Sequence, residues 1–150
     1  MTGQEQPDMG NRTSLGKILI SASAVISGAG PYVFDWNDTH IHNPHWPPHA
    51  KFHNAQTMSM GAGLAAATLW HLWRPARTPA ATRTALDAAA LCAALYWLTQ
   101  ISALAYPGAK AVDPPGEGFF PQKVVAGPAL ALAGLGYTLE RRRLRRQAPR

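Results

Sequence analysis

From Ala88 to Ala109 the chain carries no charged residue, and a second charge-free run extends from Gly61 to Leu69. The surface helix of a water-soluble bundle shows a polar stripe that returns every 3.6 residues. The polar side chains of these two runs are only Thr, Ser, Tyr, Trp and one Gln. Four apolar stretches emerge on this basis. They are Ile18 to Phe34, Phe52 to Trp73, Ala85 to Ala105 (interrupted by Asp87) and Phe119 to Leu139 (with Lys123 near its start). Each is close to the ~20 residues that a helix needs to cross a bilayer. Ala, Gly, Ser and Leu dominate them, which suits close helix packing in lipid. Gly61-Ala62-Gly63, Gly127, Gly134 and Gly136 are places where backbones can touch. The expected fold is all-α: an integral membrane four-helix bundle, without a soluble second domain.

A net charge of +6 and a pI near 10.0 raise the question of nucleic acid, but the distribution answers it. Six of the ten arginines lie between Arg141 and Arg150, and Arg74, Arg77 and Arg83 share one Pro-rich connector. Positive charge marks the cytoplasmic side of a membrane protein. Both groups then face the cytoplasm, and an even number of spans puts the N-terminus there too. The connectors at about 35–51 and 106–123 face outward. Residues 1–14 read as a disordered tail, 15–140 as the membrane domain and 141–150 as a basic tail that contacts anionic lipid. Ala-, Arg- and Pro-rich usage points to a high-GC bacterium and a multi-pass protein of its plasma membrane. Trp70 and Trp73 form an inner belt, and Trp36 and Trp46 an outer one. Asp87 is expected to pair with Arg83 at i,i+4 spacing. Cys92, the single cysteine, reads as a packing residue.

The densest chemistry lies between Asp35 and Met58, where almost every residue is polar, aromatic or proline. Pro44 and Pro47-Pro48 hold the backbone extended, and Pro48 fits the first turn of a helix. His49 and His53 then stand one turn apart on one face, with Gln56 further along it. Two imidazoles at this spacing can share a divalent metal ion, which His40, His42 and His45 can complete from the loop. The same groups, with Asp35 and Asp38, can instead transfer protons without a metal, or cap the loop at the membrane interface. His71 lies five turns beyond His53, about 27 Å away along a helix, and cannot join them.

The run D-W-N-x-T-H-x-x-N-P-x-W-P-P-H-A-K-F-H-x-x-Q-T-M, here Asp35 to Met58, resembles the signature of a family of small four-span membrane proteins from bacteria and fungi. Some members of that family carry an acetyltransferase label. The sequence holds no Gly-rich pyrophosphate cradle that would serve such a reaction. The layout also resembles that of sterol-isomerase-type membrane domains, a likeness of architecture alone. The expected function is conversion of a lipophilic small molecule by isomerisation, cyclisation, hydrolysis or oxidation, with membrane lipids around it and no nucleic acid. Asp35, Asp38, His49, His53 and Glu117 are the candidate catalytic groups. Trp36, Asn37, Trp46, Gln56, Trp97, Gln100 and Gln122 are candidates for holding the substrate. A non-catalytic protein that docks a headgroup, a metal or a partner is the alternative.

Overall fold

A computed structural model describes residues 12–112 and 122–147. Among them are four α-helices, no strand, and one short 3₁₀ turn at Ala103–Ala105. The helices are α1 (Leu15–Asp35), α2 (Pro48–Trp73), α3 (Pro79–Ser102) and α4 (Gln122–Arg146). Their starts follow the local chemistry. Ser14 caps α1 by accepting from the Lys17 amide at 3.3 Å, and Thr78 caps α3 by accepting from the Ala81 amide at 3.1 Å. Pro48 and Pro79 occupy first-turn positions, where a missing N–H leaves nothing unpaired.

The helices close a ring, α1 against α2 and α4, and α3 against the same two. Small residues fill much of the interior, around two apolar clusters that include Ile20, Leu72 and Leu86 in one and Tyr96 and Trp97 in the other. Ala24, Ala89, Ala93 and Ala129 are fully buried, with Ser23, Ser27 and Thr68 among them. The three hydroxyls donate to backbone carbonyls, Ser23 to Ala129 of α4 at 2.9 Å, Ser27 to Ala24 at 3.0 Å and Thr68 to Leu64 at 2.8 Å. Small interior residues let the backbones approach. A methyl group on Gly61 of α2 would stand 2.5 Å from the Ser27 carbonyl of α1, and one on Gly136 of α4 would stand 2.6 Å from the Gly16 carbonyl. Gly63, Gly127 and Gly134 have no such neighbour within 4 Å, so only part of the expected glycine contacts form.

Many other large apolar side chains lie outside. Val25, Val33, Phe52, Trp70, Leu91 and Leu135 are all more than half exposed. An apolar surface of this extent is one that water disfavours. Two helices, Leu15–Asp35 and Pro79–Ala105, are long and apolar enough to cross a membrane. The other two are also of spanning length but are more polar: α2 opens on the His-rich turns and α4 closes on Glu140 and five arginines.

At the end of the bundle that carries the arginines, one pairing departs from expectation. Asp87 does not pair with Arg83. It accepts from Arg141 at 3.2 Å and from the Tyr137 hydroxyl at 2.9 Å, because α3 and α4 pack side by side there. Trp73 is partly buried. Its Nε1 donates to Ser21 at 3.0 Å, and the Lys17 ammonium lies 4.8 Å over its ring. Trp70, 66% exposed, remains a surface aromatic. The arginines from Arg141 to Arg146 continue α4 as helix. Glu140, buried, accepts from Ser14 and from the Arg143 guanidinium at 2.5 Å, tying the start of α1 to the end of α4.

Candidate functional site

The segment after α1 is organised by Asn37. Its amide donates to the Phe34 carbonyl at 2.6 Å, and its oxygen accepts from the Thr39 amide at 2.9 Å and the Thr39 hydroxyl at 2.6 Å. Its carbonyl accepts from the amides of His40 and His42. Asn43 then receives the His45 amide at 2.9 Å. Short Asn side chains make such local turns, which is why they recur where a helix must end and reverse. The outcome is a compact turn that delivers His40 and Trp46 to the mouth of the bundle.

There a cavity of about 450 Å³ opens between the helix ends. Phe34 and Asp35 come from the last turn of α1, His40 and Trp46 from the loop, and Asn54 from the second turn of α2. Tyr96, Trp97 and Gln100 come from α3, and Gln122 and Val125 from α4. The Asn54 amide donates to Asp35 Oδ2 at 3.0 Å. On the other carboxylate oxygen, His40 Nε2 stands at 4.0 Å. The Thr39 hydroxyl spends its proton on Asn37, so it accepts from His40 Nδ1 at 2.7 Å. The imidazole therefore carries a proton on Nδ1 and turns Nε2 toward Asp35. Trp46 fixes this ring from the side, edge to face at 4.9 Å.

Among the described residues, five buried side-chain polar atoms have no hydrogen-bond partner in the protein: Asn54 Oδ1, His71 Nδ1, Trp97 Nε1, Gln100 Oε1 and Gln122 Oε1. Four of the five, all but His71, belong to residues that line this cavity. Buried polar atoms are normally paired, so their concentration at one place marks it out. Gln122 Nε2 is occupied, donating to the Ala111 carbonyl at 3.2 Å.

The expected site residues separate into two groups. Asp35, Trp46, Trp97, Gln100 and Gln122 line the cavity, together with His40. His49, His53 and Gln56 lie on an exposed face of α2. They contact one another, with His53 Nε2 at 3.0 Å from His49 Nε2 and His53 Nδ1 at 3.2 Å from Gln56 Oε1. Gln56 Oε1 can only accept, so His53 holds its proton on Nδ1 and receives that of His49 on Nε2. Asp38 is exposed. Trp36 is 56% exposed, stacked on Tyr32 and edge-on to His42. Among the described residues no three His, Cys, Asp or Glu side chains gather as a metal-binding group, so His40, His42, His45, His49 and His53 do not form a common shell. Glu117 lies outside the described residues. Asn54 and Tyr96 complete the cavity without having been among the candidates, although Asn54 sits inside the motif and Tyr96 beside Trp97.

A family model of unknown function matches residues 19–150. The chain belongs to that family, DUF6640. No curated protein and no solved structure matches it. The matched span includes the whole loop and every residue that lines the cavity.

Proposed function

We propose that this DUF6640 protein is a four-span integral membrane protein that binds a lipophilic small molecule in the cavity at the outer end of its bundle, and that Asp35 and His40 move a proton on it. One observation carries the reading: four buried, unpartnered polar atoms converge on residues of a single cavity that also holds a carboxylate and an imidazole. A cavity of this size suits a small organic ligand. The surrounding apolar exterior supports entry from lipid. His40, with its proton on Nδ1, offers Nε2 as the base, and Asp35 beside it stabilises the cation that forms. Proton transfer at carbon supports an isomerisation or cyclisation, and proton transfer from water a hydrolysis. The positive-inside pattern supports cytoplasmic termini in a bacterial plasma membrane.

The test is native mass spectrometry of protein extracted from its own membrane. Wild type is expected to carry a small molecule, and Val125→Trp, which fills the cavity, to lose it. The same molecule at the same occupancy in Val125→Trp rejects the cavity as the site. In cells, Asp35→Asn and His40→Ala are expected to accumulate the bound compound and lose its product. If both variants make product at wild-type levels, proton transfer is rejected and a binding role without chemistry stands.

A further inference from the structure

Proton transfer by Asp35 and His40 leaves the hydrogen-bond donors of the same cavity without a task. Tyr96, Trp97 and Trp46 line it with them. Trp97 Nε1 makes no hydrogen bond within the protein, on a residue that is 3% exposed. The Tyr96 hydroxyl, on a residue 5% exposed, and Trp46 Nε1 are unpartnered as well. The Gln100 amide nitrogen is a further donor without a partner. An indole N–H can only donate, and an enclosed donor without an acceptor is costly. Tyr96 and Trp97 are neighbours on α3 and pack edge to face, their ring centroids 5.0 Å apart. The Tyr96 ring also rests on Gly61 of α2, where an added methyl group would come within 3.2 Å of it. Packing of this kind sets the hydroxyl and the N–H before a ligand arrives.

These donors call for lone pairs on the ligand. A carbonyl oxygen offers two on one atom and no proton of its own, so it can receive two donors at once. A hydroxyl or an ether would satisfy the donors but would give His40 no acidic C–H to act on. A carboxylate already carries its charge, and loss of an adjacent proton would build a second one. Beside a ketone the C–H is acidic because the charge released moves to the oxygen, where fixed donors stabilise it. Phe34 also lines the cavity and is 58% exposed, so an apolar tail can leave along the exterior of the bundle.

We propose that the ligand is an apolar ketone, and that Tyr96 and Trp97 hold its oxygen while His40 takes a proton from the adjacent carbon. This rests on the cavity reading above and adds the substrate class and the reaction. The C–H bond breaks and its proton passes to His40 Nε2, with Asp35 beside the imidazolium that forms. The electron pair of that bond forms a double bond to the carbonyl carbon, and the C=O π pair moves to oxygen as an enolate held by Tyr96 and Trp97. In a β,γ-unsaturated ketone, His40 returns the proton to the γ carbon. The C=O bond re-forms and the double bond shifts into conjugation, with no oxidant, reductant or second substrate consumed.

The probe is 4-undecen-2-one, given to the full chain in a neutral detergent, with ultraviolet absorbance reporting the conjugated 3-undecen-2-one. Wild type is expected to form it well above detergent alone, and His40→Ala to form none beyond that level. Tyr96→Phe removes a hydroxyl that bonds nothing within the protein. It is expected to turn over about a hundredfold more slowly, the scale of losing one such donor. Trp97→Phe is expected to act in the same direction and keeps the test valid if Tyr96→Phe does not fold. Wild-type turnover in both variants overturns the proposal. Calorimetry with 2-undecanone and undecanoic acid separates it from the reading beneath it. Ketone binding that Val125→Trp removes, without turnover by wild type, overturns the carbonyl chemistry and leaves the cavity reading standing. Tighter binding of the acid than of the ketone does the same. Failure of both to bind overturns both.

Discussion

Asp35 is held from a different helix, by the Asn54 amide, and faced by His40 from the loop. His40 reaches the other two through the turn that Asn37 organises after α1. The side chain of Asn37, a candidate for holding substrate, makes three local bonds, one to Phe34 at the end of α1 and two to Thr39. Asn37→Ala is therefore expected to lower stability by about 1 kcal/mol, the usual net worth of such bonds, and to loosen His40. Thermal unfolding in detergent reads the first effect, and a weaker affinity for the cavity's ligand reads the second. An unchanged melting temperature would mean that the turn forms without its side chain. Five of the expected side chains do line the cavity, Asp35, Trp46, Trp97, Gln100 and Gln122. The histidine pair does not, for a geometric reason. Residues at i and i+4 share a helix face, so His49 and His53 are correctly grouped, but their spacing says nothing about which way the face turns. Successive helical residues differ by about 100°. Asn54, one position after His53, is thereby carried round to the cavity.

At the level of the helix, the packing depends on a few close approaches rather than on bulky side chains. Gly61 of α2 lies against the Ser27 carbonyl of α1, while Gly63, two residues on, has nothing within 4 Å. The two positions look alike in the sequence and should respond in opposite ways. Gly61→Ala is expected to cost about 1–3 kcal/mol through overpacking. Gly63→Ala is expected to be neutral or to stabilise by up to about 1 kcal/mol, from helix propensity. Melting temperatures of both variants in one detergent decide this, and equal effects would place the α1–α2 crossing elsewhere. The expected helices could be read because apolar run length and the proline at the first turn of α2 act locally. The partner of Asp87 could not be read. Arg83 offers i,i+4 spacing on the same helix, but Arg141 and Tyr137 on α4 win because helix packing puts them closer.

Across the described residues, small and hydroxyl-bearing residues share the interior with Ile20, Met58, Leu72, Leu86 and Trp97, while many Val, Leu, Phe and Trp side chains lie outside. In water this would leave many large apolar side chains uncovered. In a bilayer there is no hydrophobic drive to bury them, and close packing of small residues takes over. The proposed topology follows from this exterior and from the placement of arginine, and it can be checked directly. With Cys92→Ser as background, Asn43→Cys is expected to react with a membrane-impermeant thiol reagent added to intact cells. Gln147→Cys is expected to react only after lysis. Reaction of both in intact cells, or of neither, rejects outward display of the cavity.

The sequence by itself determined the number and approximate places of the helices and the segment that holds most of the polar chemistry, because run length and prolines act over a few residues; it did not fix the helix ends, since α3 starts earlier and α4 continues through the arginines. It also named Asp35, Trp46, Trp97, Gln100 and Gln122. Only the tertiary structure decided that these five share one cavity with Asn54 and His40, and that His49 and His53 stand outside it. Which face of a helix meets its neighbours is set by where small residues let backbones touch, and that is a property of the assembled bundle.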